Sequence, residues 1–150
     1  AALLVGAAAC SDDDKTAVTT TAPPETSAPA DDGSADGGTV IVSETTAGEV
    51  LTDAAGMTLY IFTPDTATTS ACSGGCATTW PPFTDAVVAG AGLDAAQFGS
   101  ITRDDGATQA TYFGHPLYYF AGDAKPGDAN GHGSGGSWFA ITAEGEQPAG

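Results

Sequence analysis

The chain has 150 residues, with nineteen acidic side chains against three basic ones (Lys15, Arg103 and Lys125), for a formal net charge of −16. From Thr39 onward there are still twelve acids against two bases, so the imbalance is not confined to the N-terminal stretch. Such a surface repels phosphate backbones and lacks the Lys/Arg cluster that nucleic acid or anionic lipid heads require, which excludes nucleic-acid binding.

Ala1 to Ala9 is an uncharged apolar run ending at Cys10, and Ser-Asp-Asp-Asp follows at once. Nine residues cannot cross a bilayer. Small residues before a Cys fit the C-terminal part of a signal peptide (1–9), and the arrangement resembles a bacterial lipobox, although Ala7 stands where that pattern has Leu. Cys10 is the expected lipid-attachment residue, with the extracytoplasmic face of the cell membrane as the expected location. Residues 11–38 contain no aromatic side chain and are rich in Asp, Thr, Ala, Pro, Ser and Gly. They cannot bury enough apolar surface to offset backbone ordering, so 10–38 is expected to be a disordered, acidic tether with a reach of about 30 Å.

Beyond Gly38, short β-branched or aromatic runs alternate with Gly, Asp and Pro. Strands are predicted over Thr39–Glu44, Glu49–Asp53 and Met57–Thr63, then over Ser100–Arg103, Ala107–Phe113, Pro116–Ala121 and Ser137–Thr142. No stretch sustains a helical period; Leu93–Phe98 makes at most a turn of helix. Gly56/Gly114, Leu59/Leu117, Tyr60/Tyr118, Phe62/Phe120, Asp65/Asp123, Gly75/Gly133 and Trp80/Trp138 superpose at a single offset of 58. Self-similarity at a fixed period means one supersecondary unit used twice, each needing a neighbour to cover its apolar face. The expected fold is all-β: two pseudo-symmetric three-stranded meanders packed into one small domain over 39–143, with a disordered tail at 144–150. Leu59 and Ile61 should face opposite Tyr60 and Phe62, and Leu117 and Tyr119 opposite Tyr118 and Phe120, because strand side chains alternate. Both faces are apolar, so these should be central strands, covered by the partner repeat and by the Trp-bearing loop.

Tyr60-Ile-Phe62-Thr-Pro-Asp65 and Tyr118-Tyr-Phe120-Ala-Gly-Asp123 fit a Tyr-x-(Phe/Trp/Tyr)-x-x-Asp motif, and Trp80 and Trp138 follow each Asp by fifteen residues. These blocks, together with Cys72-Ser-Gly-Gly-Cys76, Trp80-Pro-Pro, Arg103-Asp-Asp-Gly and Pro126-Gly-Asp-Ala-Asn-Gly, resemble a family of secreted bacterial lipoproteins built from tandem repeats. The resemblance covers nearly all of 40–142 and implies a cell-envelope protein. It supplies no substrate and no catalytic residue.

Cys72 and Cys76 belong to a chain that looks exported, and the intervening glycine pair permits a tight loop. A structural disulfide is expected, constraining the unfolded chain by roughly 2 kcal/mol. The Cys-x-x-Cys spacing of a redox pair or haem attachment is absent. Copy two has Asn130 and Ser134 at those positions, so its loop must be held differently. Asp65 and Asp123 each follow an aromatic strand and open a long loop, where a carboxylate can accept backbone N–H bonds as an Asx-type cap. Paired catalytic carboxylates would also be two acids, but the repeat explains their recurrence without chemistry. The loop carrying Asp123, Asp128, Asn130 and His132 offers oxygen and imidazole ligands to Ca²⁺ or a transition metal, against which Lys125 sits inside it. Trp80, Trp138, Tyr60 and Tyr118 either form the core or line a ligand groove or electron relay. No Ser-His-Asp order, P-loop or dinucleotide fingerprint is present. The resulting expectation is a monomeric, non-catalytic envelope lipoprotein without a cofactor, bound to the membrane through its lipid and to an envelope or wall partner. The alternative is a cation-binding or redox accessory domain using the 123–132 loop; a third reading, an enzyme, is supported only by the recurring Asp.

Overall fold

A computed structural model describes residues 38–148. The signal-peptide, Cys10 and tether expectations fall almost wholly outside the described residues. Strands are β1 (Thr39–Thr45), β2 (Gly48–Asp53), β3 (Tyr60–Phe62), β4 (Val88–Ala89), β5 (Phe98–Thr102), β6 (Thr108–Tyr112), β7 (His115–Pro116) and β8 (Trp138–Ala140). The one α-helix among the described residues, α1 (Gly75–Thr79), and two 3-10 turns at Ala95–Gln97 and Ser134–Gly136 complete the set. The domain is all-β, as the alternation predicts, and the 3-10 turn at Ala95–Gln97 falls within the helical turn expected at Leu93–Phe98. Neither α1 nor the two-residue β4 carries a sequence period long enough to be seen.

The strands form three small sheets, ordered β2-β1-β4, β3-β8 and β5-β6-β7. Each copy begins as the expected meander. β1 and β2 are an antiparallel hairpin from Thr45↔Gly48 to Val40↔Asp53, and β5 and β6 are its counterpart from Thr102↔Thr108 to Phe98↔Tyr112. The third strand then joins its own copy only briefly, through Leu59 N–H to Leu51 C=O at 2.9 Å and Leu117 N–H to Ala110 C=O at 3.0 Å.

From Tyr60 and Tyr118 onward the third strands leave their own copies and meet each other. Tyr60 N–H donates to Tyr118 C=O at 2.8 Å, and Tyr118 N–H donates to Tyr60 C=O at 2.9 Å. Two residues at equivalent repeat positions that exchange both bonds lie on a local two-fold axis. The pairings that flank them obey that axis. β3 pairs with β8, the Trp-bearing strand of copy two, while Tyr118 bridges Pro82 in the Trp-bearing segment of copy one. Thr63 N–H reaches Ser137 C=O at 2.8 Å and Ala121 N–H reaches Thr79 C=O at 2.8 Å, again an equivalent pair at the offset of 58. The Trp-bearing segment covering each central strand therefore comes from the other copy.

Alternation along these strands divides the interior into two cores. Leu59, Ile61 and Leu117 lie in one, with Val40, Leu51, Phe83, Ala110, Tyr112 and Ile141. Tyr60 and Tyr118 lie in the other, with Val50, Cys72, Trp80, Trp138 and Ala140. Residues 144–148, where a tail is expected, turn back on the domain: Thr142 N–H donates to Glu146 C=O at 2.7 Å, and the Tyr112 hydroxyl donates to Ala143 C=O at 2.5 Å.

Leu59 and Leu117 are fully buried at equivalent positions. Leu59→Ala and Leu117→Ala are each expected to cost about 2–5 kcal/mol, the range for a buried Leu truncated in a packed core. Because the copies are interlocked, urea unfolding followed separately by tryptophan fluorescence and backbone dichroism should give one coincident transition for both variants; two separated transitions would show independently folding copies.

Candidate functional site at the interface of the two repeats

The motif residues converge where the copies cross. The Tyr60 hydroxyl donates to Asp123 Oδ2 at 2.7 Å, and the Tyr118 hydroxyl donates to Asp65 Oδ2 at 2.6 Å. Each motif tyrosine is thus satisfied by the other copy's motif aspartate. The second carboxylate oxygen of each acid holds its own loop. Asp65 Oδ1 accepts Ala71 N–H at 2.6 Å; Asp123 Oδ1 accepts Asn130 N–H at 2.9 Å and Asn130 Nδ2 at 3.2 Å. The loop bonds are those an Asx-type cap would make, while the cross-copy bond to tyrosine has no local sequence signal.

Beside these pairs the four other motif rings stack in a row, in the order Phe62, Trp138, Trp80, Phe120. The two indoles lie 3.9 Å apart and 1° from parallel. Phe62 stacks on Trp138 at 4.2 Å and Phe120 on Trp80 at 4.4 Å. The tyrosines meet the indoles edge-on, Tyr60 on Trp80 at 5.4 Å and Tyr118 on Trp138 at 5.1 Å, the geometry the ring quadrupoles favour. Gly131 closes the stack on one side. A Cβ there would lie 2.6 Å from the Trp80 ring and 3.0 Å from Phe120, so only glycine lets this loop pass across the rings.

The two loops are held by different chemistry. In copy one, Cys72 and Cys76 are joined by a disulfide. Arg103 reaches into that loop from copy two: Nη1 donates to Ser70 Oγ at 2.8 Å and to Gln109 Oε1 at 2.7 Å, and Nη2 donates to the Cys72 carbonyl at 2.5 Å. Arg103 is 6% exposed, with Asp105 Oδ2 3.7 Å from Nε. Ser70 Oγ also lies 2.5 Å from the Tyr118 hydroxyl, which links the guanidinium to the Tyr118–Asp65 pair. In copy two, Lys125 Nζ donates to Asp128 Oδ1 at 2.5 Å, and Asp128 Oδ2 accepts Ala124 and Lys125 N–H. Thr46 reaches across from copy one, its Oγ1 accepting Ala129 N–H at 3.0 Å.

The four residues expected as metal ligands do not converge. Asp123 faces Tyr60 and Asn130, Asp128 faces Lys125, and His132 Nδ1 accepts Ala140 N–H at 3.2 Å while its ring packs edge-on against Phe139. Among the described residues no group of three or more His, Cys, Asp or Glu side chains is placed to hold a metal ion. Nor, among them, is any helix long and apolar enough to cross a membrane. Sequence reasoning missed Arg103 as an interior group, because Arg-Asp-Asp-Gly has the pattern of a solvated hairpin turn.

Burial shifts the titration of this cluster. Desolvation, reinforced by Asp123, pushes the Tyr60 phenol far up, and desolvation with Asp65 pushes Tyr118 up to about 12. Tyr119, buried beside Asp53, and Tyr112 are raised as well. Desolvation also raises Asp65 above 3.8, outweighing the lowering by Tyr118, Ala71 and Arg103. The Lys125 ammonium, helped by the Ala124 amide, lowers Asp128.

The model of a family described as a secreted repeat of unknown function matches residues 41–84 and again 99–142, two windows displaced by the same 58 residues as the motif. The chain belongs to this secreted-repeat family. The two matched windows are the two interlocked copies, and the secreted-repeat description agrees with the disulfide expected of an exported protein. No curated protein and no solved structure matches the chain.

All four tyrosines of the chain have raised phenols, so the native state keeps protons that the unfolded state releases near pH 10, and stability falls as pH rises through that value. Tyrosinate absorbance should therefore stay low at pH 10 and appear together with alkaline unfolding; a Tyr60 or Tyr118 phenol titrating at pH 10 in the native chain would contradict the pairing. For the carboxylates, Asp65→Ala and Asp123→Ala each strand a tyrosine hydroxyl and a backbone amide and should cost about 2–4 kcal/mol, with Asn at either site costing less. Because the native Asp65 carboxyl is raised, its stability contribution is complete below pH 3.8 and is lost as pH rises through its native value. Denaturant unfolding over that range should show the slope in the parent and its loss in Asp65→Asn.

Proposed function

We propose that this secreted repeat is a non-catalytic module of the bacterial cell envelope, held at the extracytoplasmic face of the membrane by a lipid on Cys10. It acts by associating with an envelope protein or the wall as a monomer. The observation that carries the non-catalytic reading is the reciprocal engagement of the motif side chains. Asp65, Asp123, Tyr60 and Tyr118 are the groups best suited to acid–base chemistry, and all four are bonded to one another between the copies. A general acid or base needs a substrate proton within hydrogen-bond reach, and here the hydroxyls and carboxylates face each other instead.

The tether reading rests on the apolar run, the small residues before Cys10 and the acidic stretch that follows. The cation-binding alternative is not favoured, because Lys125 occupies Asp128 and Tyr60 occupies Asp123.

Cys10→Ala is expected to move the exported protein from the membrane fraction to the soluble fraction, since dual acylation anchors stably and a polar tether does not. Fractionation with immunodetection checks this, and a variant that stays with the membrane would refute the lipid anchor. Added calcium should leave the unfolding midpoint unchanged, because a ligand bound only by the native state would raise it.

A further inference from the structure

The geometry points to a one-electron relay in the inter-repeat core, in which the Trp80–Trp138 pair passes an electron out to an oxidant and Tyr60 holds the resulting radical by giving its proton to Asp123. This goes beyond the envelope-module reading and does not depend on the lipid anchor. Oxidation of a phenol makes it strongly acidic, so a tyrosine loses an electron readily only where a base can take the proton at once. Asp123 Oδ2 sits 2.7 Å from the Tyr60 hydroxyl oxygen and accepts its hydrogen. Electron hops between rings need close approach, and Tyr60, Trp80 and Trp138 are linked at centroid distances of 5.4 and 3.9 Å. The coplanar overlap of the two indoles spreads a positive hole over both. Trp80 and Trp138 are buried, at 5% and 7% exposure, so the oxidant takes the electron by outer-sphere transfer without direct contact with the rings.

A one-electron oxidant, such as a peroxyl radical or an oxidised metal centre on another protein, takes one electron from the indole pair. The indole radical cation regains an electron from Tyr60, whose hydroxyl proton moves to the Asp123 carboxylate. The products are the reduced oxidant, a neutral Tyr60 phenoxyl radical and a protonated Asp123; a one-electron reductant such as a quinol reverses the sequence.

The pseudo-symmetric Tyr118–Asp65 pair is the poorer resting place. Its phenol oxygen contacts Ser70 Oγ, which accepts a hydrogen bond from the Arg103 guanidinium, so a positive charge two links away disfavours loss of an electron. The Tyr60 oxygen accepts a longer bond, from Gly131 N–H at 3.2 Å.

The test is flash-quench oxidation of the purified full chain with photogenerated tris(bipyridine)ruthenium(III), read by transient absorption and electron paramagnetic resonance. A tyrosyl signal is expected that forms more slowly in D₂O, is lost in Tyr60→Phe and persists in Tyr118→Phe. Asp123→Asn keeps a hydrogen-bond acceptor but not the base and should reduce the tyrosyl yield. Should that variant unfold, Trp80→Phe keeps a ring in the stack and is expected to delay the Tyr60 radical. The proposal is overturned if the tyrosyl signal survives in Tyr60→Phe, if oxidation stops at the indoles, if D₂O has no effect, or if Trp80→Phe causes no delay.

Discussion

The two backbone hydrogen bonds exchanged between Tyr60 and Tyr118 fix the relation of one copy to the other, and with it the position of every motif side chain. Strand side chains alternate, so once these residues are paired in register their neighbours have no freedom. Leu59 and Leu117 must enter one core, and both tyrosines must enter the other. The same register brings β8 onto β3 and Pro82 beside Tyr118. A single copy would leave its third strand with an unpaired edge and one uncovered apolar face, the two conditions that make isolated β units unstable in water. Duplication within one chain removes both.

Around that axis the copies differ in the strand that borders each hairpin, β4 or β7, and in how their loops are held. Copy one uses a covalent closure, Cys72 to Cys76, and an arginine from the far copy that donates to the Cys72 carbonyl. Copy two has Asn130 where Cys72 stands, and its amide side chain donates to Asp123 instead. Lys125 on Asp128 tightens the same loop. These arrangements place the two cationic side chains of the described region on the loops, one buried and one against a carboxylate. Apart from Asp65, Asp123 and Asp128, nine further acids lie between Glu44 and Glu146, which keeps polyanionic partners away and favours solubility.

The buried polar cluster also separates structural from chemical possibilities. Tyr–Asp pairs in a low-dielectric interior are costly to break, because each group removed leaves a partner without its hydrogen bond. Their surroundings keep the phenols protonated well beyond their usual range. That suits a rigid keystone between repeats. It equally suits proton-coupled loss of an electron, where the hydrogen bond already present serves as the path for the proton.

The sequence by itself determined the period of 58, the β class, the two-faced burial of the Tyr-bearing strands and the export signature of the Cys pair. Each of these is local: alternation, turn residues and spacing act within a few residues, and repetition makes them visible twice. The choice of partner was decided only by the tertiary structure. Two copies carry the same tyrosine, aspartate and tryptophan, so the sequence is degenerate between a Tyr60–Asp65 pair within a copy and a Tyr60–Asp123 pair between copies. Crossing of the third strands at the pseudo-two-fold axis resolves it in favour of the second. Arg103 follows the same logic. Its turn is legible in Arg-Asp-Asp-Gly, but its burial depends on a loop whose Ser70 lies 33 residues earlier in the chain. No local pattern encodes a contact made only when both copies are folded together.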